Sequence, residues 1–295
     1  NSNMQIIGIA WALTALFGWG FGDFMIQRAT RKIGDVHALF YIGITGGIVL
    51  LPFIWQELPG LLVPNRGLLL LLITSAITIT AALFDFEALK EGKISIINPI
   101  IGLELPLTVA LGVFVLGEHV SGPSATLMLL VFLGIAMASF SGKLKHVFRT
   151  NYLEKGVWLA FISALTMALL NFSVGLASNE TSAILTIWFS FLFSGIFCLI
   201  IMVINGSVRE ILHDLKQNPK LIIAQSSLDT LGWVAFAQAT TYIPISITIT
   251  ISEAYVALSA FLGLWIGREK ITTHQKVGVA LAMAGVIVLS ALTSG

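Results

Sequence analysis

Charge is what this 295-residue chain lacks: Asp, Glu, Lys and Arg make up 11% of it, against roughly 25% in an ordinary soluble domain. That supplies too little polar surface to coat a water-soluble globule of this size. With 57% hydrophobic residues and a mean hydropathy of +0.94, the composition instead suits a bilayer, where each crossing takes about 20 apolar residues. The charges nearly cancel, 16 basic against 15 acidic, so no global field recruits nucleic acid or an acidic partner. One cysteine, Cys198, leaves no internal disulfide and no cysteine-rich metal site. The phosphate-binding pattern G-x-x-x-x-G-K-[ST] is missing, which speaks against ATP drive within the chain. A basic stretch followed by a small-residue cleavage site is missing too, so Asn1-Ser2-Asn3 reads as a cloning remnant and the run from Met4 as a retained first span.

What is present is apolar length. Runs recur at 4–26, 36–55, 68–89, 94–116, 123–141, 156–176, 182–204, 221–241, 244–266 and 277–293, which predicts ten transmembrane helices. The basic residues sort by loop. After odd-numbered spans come Arg28, Arg31 and Lys32; Lys90 and Lys93; Lys143, Lys145, Arg149 and Lys155; Arg209, Lys216 and Lys220; Arg268, Lys270 and Lys276. These are 15 of the 16, with only Arg66 opposite, so the positive-inside rule puts the odd-to-even loops in the cytoplasm and both termini outside. A prokaryotic plasma membrane is the expected setting. Trp55, Trp158 and Trp265, with Tyr41, Tyr152 and Tyr242, fall near span ends, where interfacial anchors are expected.

The two halves repeat. An offset of 151 brings Ser95 onto Ser246, Glu118 onto Glu269, Gly134 onto Gly285 and Ser139 onto Ser290, and an offset of 148 near the start pairs Gly8 with Gly156 and Asp23 with Asn171. Units at 4–141 and 153–293 of five spans each follow. Five is odd, so the second unit enters the membrane from the other side, and such inverted repeats are a signature of secondary transporters. Phe17-Gly18-Trp19-Gly20-Phe21, Pro106 followed by Gly117-Glu118, and Gly267-Arg268-Glu269 resemble EamA-type members of the drug/metabolite transporter superfamily over nearly the whole chain. The resemblance implies a ten-helix, two-repeat, all-α carrier of small organic solutes. Many members keep both termini in the cytosol, whereas the charge count here points the other way.

Six acids fall inside the spans, namely Asp23, Asp85, Glu87, Glu104, Asp229 and Glu253, and no Lys or Arg does. An ionisable group at mid-membrane costs on the order of 2.5 to 3.5 kcal/mol on insertion scales, so these acids call for water, a proton or a cationic ligand. Glu104, Asp229 and Glu253 lie near the centres of spans four, eight and nine and are the site candidates. Asp23, Asp85 and Glu87 lie nearer the cytoplasmic ends and read as a vestibule, or as structural acids reaching headgroup water or Arg28, Arg31 and Lys90. Helical spacing adds polar stripes: Gln225, Asp229 and Trp233 on span eight, and Ser246, Thr250, Glu253 and Ala257 on span nine. On span four Glu104 precedes Thr108 by one turn, with Pro106 between them; Thr74 and Thr78 hold the repeat positions of Gln225 and Asp229, so the two walls are chemically unequal. Trp19, Trp233 and Tyr255 sit at similar depth and offer either ring faces to a cation or ordinary packing. Gly18 and Gly22, like Gly43 and Gly47, are small-xxx-small pairs suited to helix contact.

These features lead to an expected secondary active transporter of a small polar solute, cationic or zwitterionic, such as an amine, an amino acid or a nucleobase-like metabolite. Glu104, Asp229 and Glu253 would bind the solute or a coupling proton. Expected partners are the solute, the bilayer and protons; one chain holds both halves, so a monomer is expected to suffice, with a dimer left open. No cofactor or metal is expected. A lipid flippase or scramblase would use the same bundle. An intramembrane enzyme would need Asp229 and Glu253 as an acid pair, since His37, His119, His146, His213 and His274 lie near span ends or in loops and no H-E-x-x-H occurs.

Overall fold

A computed structural model describes residues 2–91, 100–139, 155–258 and 272–294. Every regular element among them is helical: α1 (Ser2–Ile33), α2 (Asp35–Ile54), α3 (Arg66–Glu91), α4 (Glu104–Leu116), α5 (Gly122–Ser139), α6 (Lys155–Glu180), α7 (Ala183–Asn205), α8 (Pro219–Thr240), α9 (Ile245–Ser252) and α10 (Thr273–Ser294), with a 3₁₀ turn at Leu58–Leu62. Within hydrocarbon a helix satisfies its own backbone, which is why apolar runs of this length become helices and not strands. The ends follow local chemistry. Ser182 caps α7 by accepting from the Leu185 N–H at 3.1 Å, and Gly117 and Gly206 close α4 and α7 in the left-handed region that glycine alone enters without strain.

The molecule is an all-α integral membrane protein with ten bundle helices among the described residues. Seven of the described helices are long and apolar enough to span, and α4 and α9 are shorter apolar helices. The tenth, α8, has the length but buries Gln225, Ser226, Asp229 and Thr230, polar groups it can carry because it is packed inside the bundle. Outward-facing Phe53, Phe114 and Ile204 are more than two-thirds exposed and belong to lipid. Three local departures from the sequence reading stand out. The link after α7 contains an amphipathic helix, Val208–Gln217, too short and polar to register as an apolar run. Tyr41 is buried instead of facing the interface, and its hydroxyl donates to the Ile211 carbonyl of that helix at 2.5 Å. Spans four and nine are interrupted by turns at Gly102 and Leu103 and at Glu253 and Ala254. Lys93, Ser95, Lys143, Lys145, His146, Arg149, Tyr152, Trp265, Gly267, Arg268, Glu269 and Lys270 lie outside the described residues.

Packing explains the repeat. The most extensive contacts pair α1 with α8, α3 with α6, α2 with α7 and α5 with α10, followed at lower extent by α2 with α8, α3 with α7, α4 with α9, α1 with α9 and α4 with α6. Each joins the first half to the second. Exchanging the halves turns α1–α8 into α6–α3 and α1–α9 into α6–α4, while α2–α7, α4–α9 and α5–α10 map onto themselves. The helices thus interlock about a pseudo-two-fold axis, as an inverted repeat requires. Two self-mapping crossings are made by glycine: a Cβ on Gly43 would lie 2.6 Å from the Gly195 nitrogen, and one on Gly134 would lie 2.6 Å from the Ala282 nitrogen. Backbone meets backbone there.

Candidate functional site

Between the interlocked halves lies a cavity of about 90 Å³, room for on the order of six waters or a small organic molecule. From the first half, α1 contributes Trp19 and Asp23, α3 contributes Thr78, Ala82 and Asp85, and α4 contributes Glu104. From the second, α6 contributes Met167 and Asn171, α8 contributes Asp229 and Trp233, and the interrupted span nine contributes Glu253 and Tyr255. Five carboxyl groups therefore face one small space. No Lys, Arg or His lines it among the described residues.

Glu104, Glu253 and Asp229 are 5%, 3% and 8% exposed. Glu104 and Glu253 are within hydrogen-bonding reach of each other, the Tyr255 hydroxyl reaches Asp23, and the Trp233 indole reaches Asp229. Ser163 on α6 donates to Asp85 Oδ1 at 2.9 Å. Trp19 organises the aromatic wall, with its ring centroid 5.0 Å from Trp233, 5.5 Å from Phe236 and 6.0 Å from Tyr255. The pairs with Trp233 and Tyr255 are edge-to-face and the pair with Phe236 is tilted; an edge-to-face pair adds about 0.5 to 1.5 kcal/mol beyond burial. Opposite charges are wanting. Five carboxyls crowd this volume with no opposite charge among the described residues to offset their mutual repulsion.

The helix breaks sit at the site. The turn at Gly102 and Leu103 immediately precedes Glu104, and the turn at Glu253 and Ala254 includes the other glutamate. At the repeat offset of 151 the two breaks coincide. A broken helix frees backbone carbonyls and half-helix ends at mid-membrane, which is tolerated where the backbone is buried or lines a cavity.

The profile of the EamA-like transporter family matches residues 6–140 and again 154–291. The chain belongs to this family. No curated protein sequence matches it. Among solved structures, one crystal structure superposes with a TM-score of 0.73 at 14% identity, covering 97% of this chain and 96% of that one. At that identity the likeness shows the fold alone.

Within this EamA-like bundle the cavity wall obeys the repeat position by position. Trp19 and Met167, and Asp23 and Asn171, are mates at offset 148; Thr78 and Asp229, Ala82 and Trp233, and Glu104 and Tyr255 are mates at offset 151; all ten line the cavity. The places are symmetric and the chemistry is not. Of the residues singled out by sequence, Glu104, Asp229, Glu253, Trp19, Trp233 and Tyr255 meet at the cavity, and Asp23 and Asp85 join them instead of forming a separate tier. Glu87, Gln225 and Thr250 do not line it. Gln225 is fully buried and donates to the Ala38 carbonyl at 3.3 Å, tying α8 to α2. Thr250 donates to the Ser246 carbonyl at 2.7 Å within its own helix. Glu87 is half-buried, two residues past Asp85 and so turned to another face of α3. Asn171, 2% exposed, also lines the cavity; it carries no charge to single it out in the sequence, and its pairing with Asp23 in the repeat is the signal that marks the position.

Proposed function

We propose that this EamA-like transporter carries a small polar organic solute bearing a positive charge, cationic or zwitterionic, by alternating access, with protons competing for the same carboxyls. One observation carries the reading: five carboxyls and the rings of Trp19, Trp233 and Tyr255 line one cavity, with no basic side chain among the described residues. An ammonium group there gains charge-assisted hydrogen bonds from carboxylates and the ring faces of Trp19, Trp233 and Tyr255, each worth about 0.5 to 2 kcal/mol. Glu104 and Glu253 form the exchange pair. Two carboxyls within hydrogen-bonding reach hold either a shared proton or a cation between them, so solute entry releases a proton and proton entry releases solute. Because the pair straddles the halves at their two helix breaks, a change in the relation of the halves alters its geometry as it alters access, which couples binding to exposure.

The proposed orientation places both termini outside and the odd-to-even loops in the cytoplasm of a prokaryotic plasma membrane, supported by the 15-to-1 distribution of Lys and Arg. The function is tested in two steps. A thermal-shift screen of amines, amino acids and nucleobases, with organic anions and neutral sugars alongside, identifies a binder, and proteoliposomes then report its flux under an imposed pH gradient. Flux of an amine or zwitterion that slows in Glu104→Gln and Glu253→Gln is the expected result; preference for an anion or a neutral sugar refutes the reading.

A further inference from the structure

The helix nearest Glu253 begins on a residue of the other half. Pro244 precedes α9 and supplies no side-chain cap; the Glu118 carboxylate does so instead, Oε1 accepting from the Ile245 N–H at 2.7 Å and Oε2 from the Ser246 N–H at 3.0 Å. Both donors are almost completely buried, so no water substitutes freely for the carboxylate. Glu118 itself is held by the α4 terminus: Gly117 takes φ +67°, and the Glu118 N–H donates to the Gly112 carbonyl at 3.1 Å. Gly112 makes the room. A Cβ there would lie 2.6 Å from Glu118 Oε2. The end of α4 in the first half is thereby fastened to the start of α9 in the second, and α9 runs from that point seven to eight residues, about 11 Å at 1.5 Å each, to Glu253.

We propose that Glu118 is an inter-repeat latch: its carboxylate closes the α4–α9 contact on this face of the membrane and positions α9 so that Glu253 meets Glu104. A carboxylate at a helix N-terminus also gains from the helix dipole, so the latch is strong yet made of only two hydrogen bonds, and parting the halves at this face breaks both at once. The sequence supports a role tied to the repeat and not to one loop. The glycine, the glutamate and the Ile-Ser pair recur at offset 151 as Gly263, Glu269 and Ile94-Ser95, residues outside the described set. The link to gating rests on the alternating-access reading; the contact itself does not.

The experiment reads opening without any solute, so a chain that moves nothing still tests the latch. A single cysteine replaces Ala82, which lines the cavity, in a Cys198→Ser background, and an impermeant maleimide is applied to the face carrying Glu118, using intact cells or inverted vesicles as the orientation requires. Two variants disrupt the latch differently. Glu118→Gln removes the charge, and Gly112→Ala displaces the carboxylate while raising helix propensity. Each is expected to raise the labelling rate about tenfold, the equivalent of one lost charge-assisted bond, with labelling from the opposite face unchanged or reduced. A faster rate from both faces marks general loosening and overturns the proposal, as does an unchanged rate from the Glu118 face in folded Gly112→Ala protein.

Discussion

Neutralising one member of the Glu104–Glu253 pair should remove the pH dependence of solute binding together with part of the affinity. In the wild type the pair takes one proton or one cation, so the apparent Kd for the tightest-binding amine from the screen should rise as the medium is acidified. The limit is about tenfold per pH unit for one strictly competing proton, reached where the proton-bound form predominates. Reciprocity requires binding to release the same proton, and the heat of binding then differs between buffers of unlike ionisation enthalpy. In Glu253→Gln the amide can donate to Glu104 without any shared proton. The exchange is abolished and one charged partner of the ammonium is lost. A hydrogen bond to a charged group is worth about 1.5 to 3 kcal/mol, which corresponds to roughly 10- to 150-fold weaker binding. Calorimetric titration of both proteins in two buffers, at pH values spaced across the transition, measures all of this. Wild-type affinity independent of pH with no buffer-dependent heat would refute the reasoning and leave a uniporter or an exchanger of one organic solute for another.

Three further outcomes are expected. Single cysteines at Ser2 and Lys216 in a Cys198→Ala background should label from opposite faces with an impermeant maleimide, Ser2 from outside; labelling of Ser2 only from the cytoplasm sinks the orientation. Gly43→Ala, whose Cβ would lie 2.6 Å from both the Gly195 nitrogen and the Phe191 carbonyl oxygen, should lower stability by about 1 to 3 kcal/mol, read as a reduced unfolding midpoint in detergent; an unchanged midpoint would mean that α2 and α7 can part at no cost. His37 is hydrogen-bonded to Asp214 at 2.6 Å and to Ser207 at 3.3 Å, so His37→Ala should speed amide exchange across Val208–Gln217 while the bundle helices keep their protection.

Much of this architecture is legible in the sequence because hydrocarbon enforces it: apolar runs of membrane length become helices, and a five-span repeat has to invert. The site is legible to the extent that charge in such runs is rare. The apolar pattern places Asp23 and Asp85 in a shallower tier because a hydropathy window ends where polar residues resume, while α1 runs on to Ile33 and brings Asp23 to the cavity that Glu104 also lines. Asn171 carries no such signal because an amide does not interrupt an apolar run. The break at Gly102 has a local cause in Pro106, which lacks the N–H that would bond the Gly102 carbonyl; the repeat mate of Pro106 is Ala257, and no local pattern marks the break at Glu253. Glu118 was visible as a repeated residue, but its role depends on a partner 127 residues away.

The unequal mates along the cavity have a thermodynamic meaning. If the halves exchange shapes when access switches, identical mates contribute equally to the inward-open and outward-open states and their terms cancel. Whatever free-energy difference separates the two resting states has to come from positions where the mates differ, and at the cavity all five pairs do: Trp19 with Met167, Asp23 with Asn171, Thr78 with Asp229, Ala82 with Trp233 and Glu104 with Tyr255. The empty carrier's preference for one side of the membrane is thus written in the same side chains that recognise the solute. Thr78→Asp combined with Asn171→Asp would bring the two end states closer to equal population, at the cost of crowding two more acids into the same space.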